Sequence, residues 1–152
     1  MTSPLRRSEE VFAESRVELR RVMPELIDAV WLRFLKQIRK GLSCAAGDST
    51  TPELFLRDVK LAKMIGWGIL VDDDLVACAF ISTRQFPAKM TVNVELIVGE
   101  HMDIWASELE DTLIDYRDLI GADAIEGLSR DGMVRRLSKR WKRKATLMEL
   151  TR

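Results

Sequence analysis

Residues 90–127 decide the fold, and they read MTVNVELIVGEHMDIWASELEDTLIDYRDLIGADAIEG. Met90–Val98 alternates along the chain in the way that predicts a strand. One side of this strand is expected to carry Val92, Val94, Leu96 and Val98, and the other Thr91, Asn93, Glu95 and Ile97. Asp103 is typical of a helix N-cap, and Gly121 suits the end of that helix. Residues 123–128 predict a further strand, which the helical crossover makes parallel to the first.

The predicted helix has one continuous apolar face, made by Trp105, Leu109, Leu113, Tyr116 and Ile120. Apolar residues that recur every three or four positions are typical of a helix packed on one side. Tyr116 is the only tyrosine of the chain. Because it belongs to this face, we expect it in the core.

Upstream of this unit, two apolar segments flank an acidic turn. Residues 65–71 and 75–82 are almost wholly apolar, and Asp72-Asp73-Asp74 separates them. Two such segments around a tight turn predict a hairpin. Together with strand 90–98, they predict an antiparallel meander of three strands.

The N-terminal part predicts one strand followed by two helices. Residues 16–22 alternate as a strand does, and Pro24 suits the first turn of a helix. The apolar stripe of that helix points to Gly41 as its end. Thr51 then opens a second helix.

The C-terminal part predicts a short basic helix over 131–140 and a last strand over 145–150. The full order is β-α-α-β-β-β-α-β-α-β. It predicts an α/β fold with a mixed, mostly antiparallel sheet and helices on both faces. We expect residues 16–152 to form one domain and residues 1–15 to form an arm or a short helix.

The composition is that of a soluble globular protein: 152 residues, 47% hydrophobic, 32% charged and no net charge. A zero net charge gives no general attraction to nucleic acid or membranes. No apolar run is long enough to cross a membrane, so we expect a cytoplasmic location. One histidine and two cysteines, Cys44 and Cys78, are too few for a zinc site, so no metal is expected. Cys78 lies in an apolar run and is expected in the core.

The zero net charge conceals two oppositely charged segments. Residues 95–126 contain ten acids and one base, whereas residues 130–144 contain eight bases and one acid. The eight bases are Arg130, Arg135, Arg136, Lys139, Arg140, Lys142, Arg143 and Lys144. Three interpretations remain open: a solvated face that balances the acidic helix, a docking surface for an acidic protein, or a nucleic-acid contact involving Trp141.

The order of elements resembles the fold of the GNAT family of N-acetyltransferases over residues 16–151, and more narrowly the small GNAT-like proteins of tailed bacteriophages. The stretches that carry the resemblance are VELRRVMPELI from Val17, MDIW from Met102, DAIEG from Asp123 and ATLMEL from Ala145. The family resemblance implies acyl-CoA binding and acyl transfer. The phage resemblance implies a virion or assembly component, located in the host cytoplasm or the virion.

The resemblance places the pyrophosphate of acyl-CoA at the turn before the long helix. The family pattern there is Arg/Gln-x-x-Gly-x-Gly/Ala, and residues 99–105 do not fit it in any register. Glycines let a backbone approach a phosphate, whereas Glu100 and Asp103 bring negative charge. If CoA binds, the resemblance implies contacts from Leu96, Ile97, Val98, Gly99, His101 and Asp103.

For proton transfer, the resemblance implies a glutamate on the fourth strand as general base and a tyrosine in the last short helix as general acid. Glu95 is the candidate base. The alternative interpretation of Glu95 is a strand carboxylate that faces solvent. Residues 132–140 contain no tyrosine, which leaves the general-acid role without a candidate in that segment.

Two functional hypotheses follow. The first is a GNAT-fold protein without efficient acyl transfer or cofactor, which binds a protein partner or further copies of itself. The alternative is an N-acetyltransferase that uses acetyl-CoA with an atypical turn, and whose acidic surface suits an amine substrate. Neither hypothesis includes a membrane, and nucleic acid is not the expected partner.

Overall fold

The computed structural model describes residues 15–45, 50–128, 139–145 and 148–152. The strands and helices in chain order are β1 (Val17–Arg21), α1 (Ile27–Ala45), α2 (Pro52–Lys60), β2 (Ile65–Val71), β3 (Asp74–Gln85), β4 (Met90–Gly99), α3 (Met102–Ile120) and β5 (Ala124–Gly127). A 3₁₀ turn at Pro24–Leu26 leads into α1. The predicted order is confirmed from the first strand through the fifth.

The five strands form one sheet in the order β1-β2-β3-β4-β5. The pairs β1–β2, β2–β3 and β3–β4 are antiparallel, and β5 is parallel to β4. The predicted mixed, mostly antiparallel sheet is therefore confirmed. Asp72 and Asp73 both have positive φ, 49° and 70°. This mirror-image turn matches the twist of the two strands that it joins.

Helices cover both faces of the sheet, as predicted. On the face that we call the α1 face, α1 and α2 place Trp31 and Phe55 against Phe80 of β3. The Phe55 and Phe80 rings meet edge to face with centroids 5.3 Å apart. On the opposite face, the α3 face, helix α3 packs on the sheet. Its predicted apolar side is confirmed, since the cluster there contains Trp105, Leu109, Leu113, Tyr116 and Ile120.

Gly41 does not end α1, which continues to Ala45. A Cβ added at Gly41 would lie 2.8 Å from Leu96 Cδ1 on β4. The glycine therefore lets the helix approach the sheet closely, because a larger residue there would displace Leu96. By contrast, the predicted start of α2 is confirmed: the Thr51 hydroxyl accepts a hydrogen bond from Leu54 N at 3.2 Å.

The predicted side-chain alternation of β4 is wrong, because the strand contains an extra residue. Phe80 and Ile81 are consecutive on β3, yet they pair with Leu96 and Val94, so Glu95 has no partner opposite it. Such a β-bulge reverses the face that the following side chains occupy. The α3 face accordingly receives Val92 and Val94, and the α1 face receives Leu96 and Val98.

The predicted last strand is wrong for the part of 145–150 that the structure describes, where no residue is in a strand. Alternation gives a segment the pattern of a strand, but the segment also needs an edge with which to pair. Here Met148 and Leu150 are 85% and 99% exposed. Residues 1–14 and most of the predicted helix, 131–138, lie outside the described residues. No helix in the described ranges is long and apolar enough to span a bilayer.

Candidate functional site

An opening separates β4 from β5 beyond the bulge. The two strands pair from Thr91–Ala124 to Val94–Gly127 and no further. From Leu96 onward, β4 stays paired with β3, and no strand in the described residues pairs with its other edge. A Cβ added at Gly127 would lie 3.1 Å from the Val94 carbonyl oxygen. This glycine thus permits close pairing right up to the fork.

The backbone of Leu96, Ile97 and Val98 lines the opening. Amide and carbonyl groups on that edge must find partners in solvent or in a ligand. A ligand that enters between the strands can therefore pair with β4 as a further strand would. This arrangement brings together the predicted backbone contacts of residues 96–98.

Glu95 lies at the mouth of the opening, on the bulge itself. Its Oε1 accepts a hydrogen bond from Ser82 Oγ at 2.5 Å and one from the Arg84 guanidinium at 3.1 Å. Its side chain is 23% exposed. Two partners therefore hold the Glu95 carboxylate in place at a partly exposed position. Both of these bonds go to Oε1, which leaves Oε2 available to a ligand.

Only two residues, Glu100 and His101, separate β4 from α3, and Asp103 is not the N-cap of α3. His101 occupies that position with φ 61°, makes no side-chain capping bond, and is followed by the helix from Met102. The helix begins earlier than predicted because Gly99 and His101 both adopt positive φ, which turns the chain within few residues. Asp103 is the second helical residue, where its charge still favours the helix dipole.

The turn is packed directly onto β3. A Cβ added at Gly99, whose φ is 133°, would lie 2.4 Å from the Ala77 Cα. The Glu100 amide donates to the Val76 carbonyl at 3.0 Å, and the Trp105 indole donates to the Glu100 carbonyl at 2.6 Å. These contacts fix the position of the helix N-terminus beside the opening.

The acidic residues of the turn repel an anion less than the sequence suggests. Glu100 is 72% exposed, and Asp103 is also exposed. In bulk water, two unit charges 4 Å apart interact by about 1 kcal/mol, and salt screens this further. His101 Nε2 lies 3.9 Å from a Glu100 oxygen, so a protonated imidazole would offset part of that charge. A phosphate at the helix N-terminus is therefore disfavoured only weakly.

Two reactive residue types lie in the core, away from the opening. Tyr116 packs edge to face on Trp67, with ring centroids 5.5 Å apart, which confirms its predicted core position. Cys78 is fully buried, as predicted, and burial raises the pKa of its thiol to about 12. Tyr116 therefore does not provide a general acid at the opening, and the Cys78 thiol remains neutral near pH 7.

The predicted basic surface is partly neutralised within the chain. Arg140 donates to Asp111 on α3 at 3.0 Å, and Lys144 donates to Glu126 on β5 at 2.9 Å. These pairs support the interpretation of a face that balances acidic residues. Lys139, Lys142 and Arg143 are exposed. Arg130, Arg135 and Arg136 lie outside the described residues.

Polar side chains continue the α1 face beside Glu95, where the aromatic core ends. In the sheet register, Ser82 of β3 lies next to Asn93 of β4, and Asn93 lies next to Glu126 of β5. Asn93 is buried and donates to Thr91 Oγ1 at 2.9 Å. Polar residues of three strands therefore lie in one row on this face, and Ser82 of that row contacts Glu95.

Comparison with solved structures identifies the architecture. A predicted acetyltransferase from Clostridium acetobutylicum with acetyl-CoA superimposes with a TM-score of 0.65 at 13% identity, covering 90% of this chain and 96% of that one. The chain has the GNAT fold. The ribosomal-protein-alanine N-acetyltransferase of Brucella melitensis biovar Abortus 2308 gives 0.64 at 14% identity, with coverages of 90% and 98%. Aminoglycoside N-acetyltransferase AAC(6')-Iy in complex with CoA gives 0.66 at 11%, with coverages of 91% and 95%.

At these identities the GNAT likeness establishes the fold alone. No protein-family model matches the chain, and no curated protein sequence is detectably similar to it. Activity must therefore be argued from the residues at the opening.

Sequence reasoning located Glu95 and residues 96–99 but missed their neighbours. Ser82, Arg84 and Gly127 were not predicted as site residues. Ser82 and Arg84 are polar positions at the end of an otherwise apolar strand, which was the available signal. Their contact with Glu95 depends on the bulge, and the regular alternation of residues 90–98 does not predict a bulge.

Proposed function

We propose that the protein is an acyl-CoA-dependent N-acyltransferase, with the thioester bound between β4 and β5. The observation that carries the proposal is the fork at Val94 and Gly127, which opens beside a held carboxylate, Glu95. GNAT-fold structures with acetyl-CoA and CoA support the choice of ligand. The two-residue turn and the acids Glu100 and Asp103 remain the main departure from the family pattern.

The residues present fit a CoA thioester. The unpaired edge of Leu96–Val98 offers hydrogen bonds to an extended amide-containing chain, as an added strand would receive. The N-terminus of α3 offers amide groups to the pyrophosphate, with weak opposition from Glu100 and Asp103. When bound, acetyl-CoA supplies the activated acetyl group.

Glu95 would take the proton that an acceptor amine must lose. An ammonium group gives one proton to the Glu95 carboxylate, and the neutral amine then attacks the thioester carbon. As the new C–N bond forms and the C–S bond breaks, the second amine proton passes through water to the leaving sulfur. Glu95 releases its proton to solvent, so one proton is produced per turnover.

The test begins with calorimetric titration of the purified protein with acetyl-CoA, followed by thiol release with a panel of amines. Glu95→Gln keeps the acceptor oxygen for Ser82 but cannot take a proton. We expect kcat to fall about 10²–10⁴-fold with little change in acetyl-CoA affinity. Glu108→Gln, on the exposed side of α3, is the matched control and should leave both unchanged.

A second candidate function is protein binding by a GNAT-fold component without acyl transfer, in a tailed phage virion or during its assembly. The specific observation in its favour is the short turn, which fits the family pattern in no register and has Glu100 and Asp103 close to the expected pyrophosphate position. No heat of binding with acetyl-CoA, and its appearance in Asp103→Gly, would favour this candidate. Micromolar binding by the unmodified protein would exclude it.

A further inference from the structure

The charge around Glu95 is positive on balance. Three cations surround two carboxylates on this part of the α1 face: Arg84, Lys89 and Lys144 around Glu95 and Glu126. We call these five residues the platform. Lys89 and Lys144 both donate to Glu126 Oε1, at 2.5 and 2.9 Å, and these bonds lower the pKa of Glu126. Both carboxylates of the platform therefore already have cationic partners.

Three exposed carboxylates of the acidic segment 95–126 lie away from the platform. Glu108, Asp115 and Asp118 are exposed on α3, which covers the opposite face of the sheet from the platform. A sheet and its packed helix separate them from Glu95, and exposed charges are screened over about 8–10 Å. These three carboxylates on α3 therefore do not attract an amine to Glu95.

We infer that the acceptor is a compact amine with its own carboxylate, such as a free α-amino acid, whose carboxylate binds Arg84. The inference rests on the proposed function and specifies its substrate class. Arg84 is 56% exposed and reaches Glu95 with one guanidinium nitrogen. Its remaining donors can hold a carboxylate in the fork geometry that guanidinium groups favour.

The spacing selects a short acceptor. The Arg84 nitrogen lies 3.1 Å from Glu95 Oε1, so a molecule that places an ammonium group at Oε2 and a carboxylate at Arg84 needs few bonds between them. An α-amino acid has its two charged groups on one carbon. A polyamine or aminoglycoside would instead bring several positive charges to Arg84, Lys89 and Lys144, which repel them.

The first test compares L-alanine, L-alaninamide and 1,3-diaminopropane as acceptors, with rates expressed per concentration of unprotonated amine. For the unmodified protein we expect kcat/KM for alanine to exceed that for alaninamide by at least about tenfold, the usual range for a charge-assisted bond. In Arg84→Gln the preference for alanine over alaninamide should fall to about twofold, because KM for alanine rises. Arg84→Glu should favour the diamine. Arg117→Gln, on α3 and paired with Asp118, is the charge control.

The second test needs no turnover. N-acetylalanine should perturb the amide resonances of Ser82 and Arg84, and N-acetylalaninamide should not, because it lacks the carboxylate. Equal rates for alanine and alaninamide would overturn the inference while leaving the proposed function intact. Absence of acetyl-CoA binding and of any acylation would instead remove the proposed function. Shifts from N-acetylalanine that persist in Arg84→Gln would also contradict the assigned role.

Discussion

The two halves of β4 carry out different tasks, although they form one strand. Residues 91–94 are paired on both sides, with β3 and with β5. Residues 96–99 are paired with β3 alone in the described part of the sheet. The closed half thus holds the fold together, and the open half leaves an edge for a ligand. Glu95, the extra residue, lies between them.

The comparison shows that the opening follows from the position of one bulge. Because of that bulge, the closed half turns Val92 and Val94 towards α3, and the open half turns Leu96 and Val98 towards α1. The closed half thus packs its valines against α3, whereas the open half also gives Ile97 to the α3 face. The two strands can separate at the open end without loss of packing at the closed end.

The largest effect should come from the end of the open half. Gly99→Ala puts a Cβ 2.4 Å from Ala77 at a φ of 133°, which neither backbone can relieve easily. We expect a loss of about 2–4 kcal/mol in unfolding free energy, measured by urea denaturation. Gly121→Ala is the matched control, because its φ is also positive at 73° but no atom lies within 4 Å. That variant should lose only about 1 kcal/mol, and equal losses would contradict the packing argument.

Hydrogen exchange should distinguish the two halves directly. In residues 91–94 the amides of both edges are bonded, so they should exchange only through opening of the sheet. In residues 96–98 the amides that face away from β3 should exchange on the order of 100-fold faster. Acetyl-CoA should slow these same amides if it binds as proposed. If NMR without ligand shows uniform protection along β4, another part of the chain already covers the edge of residues 96–98, which would contradict the open site.

A smaller effect is expected at the turn that follows the open half. The double variant Glu100→Gln with Asp103→Asn removes two exposed carboxylates near the helix N-terminus. We expect the affinity for CoA to rise by no more than about tenfold, since screened charges contribute about 1 kcal/mol. Asp115→Asn, exposed near the other end of α3, should leave the affinity unchanged. A several-hundredfold gain in CoA affinity would show instead that the Glu100 and Asp103 charges prevent CoA from binding.

The smallest effect concerns the closed half, where Glu126 joins β5 to Lys89 and Lys144. These hydrogen bonds hold the pKa of Glu126 below its usual value, so the folded state favours the ionised form. The contribution is full above the unfolded pKa of about 4.3 and disappears as pH falls through the lowered folded pKa. Glu126→Gln should therefore lose under about 1 kcal/mol at pH 7 and less at pH 2. Urea titrations at both pH values measure this, with Glu149→Gln as the exposed control.

Local signals in the sequence were sufficient for most of the fold. The Thr51 cap, the Asp72–Asp73 turn and the apolar face that begins at Trp105 each depend on neighbours a few residues away. The predictions were wrong at positions where contacts between segments distant in sequence determine the structure. Gly41 looks like a helix end until Leu96 is brought against it, and the alternation of β4 looks regular until β3 fixes its register.

The candidate site shows the same division. Glu95 and residues 96–99 could be predicted because strand and turn positions follow from the local pattern. Arg84 could not, because its contact with Glu95 joins residues eleven positions apart across a bulged ladder. The N-cap was misplaced because residues 99 and 101 adopt backbone angles that Asp103, the obvious capping residue, gave no reason to expect.

The bulge at Glu95 also limits how this chain can change over generations. Deleting Glu95 would turn every following side chain of β4 to the other face of the sheet. Leu96 and Val98 would then face α3, and Ile97 would face α1. A reversion in small steps is therefore blocked, since no intermediate length satisfies α1 and α3 together. Substitutions can alter the chemistry at the opening freely, while the residue count of β4 stays fixed.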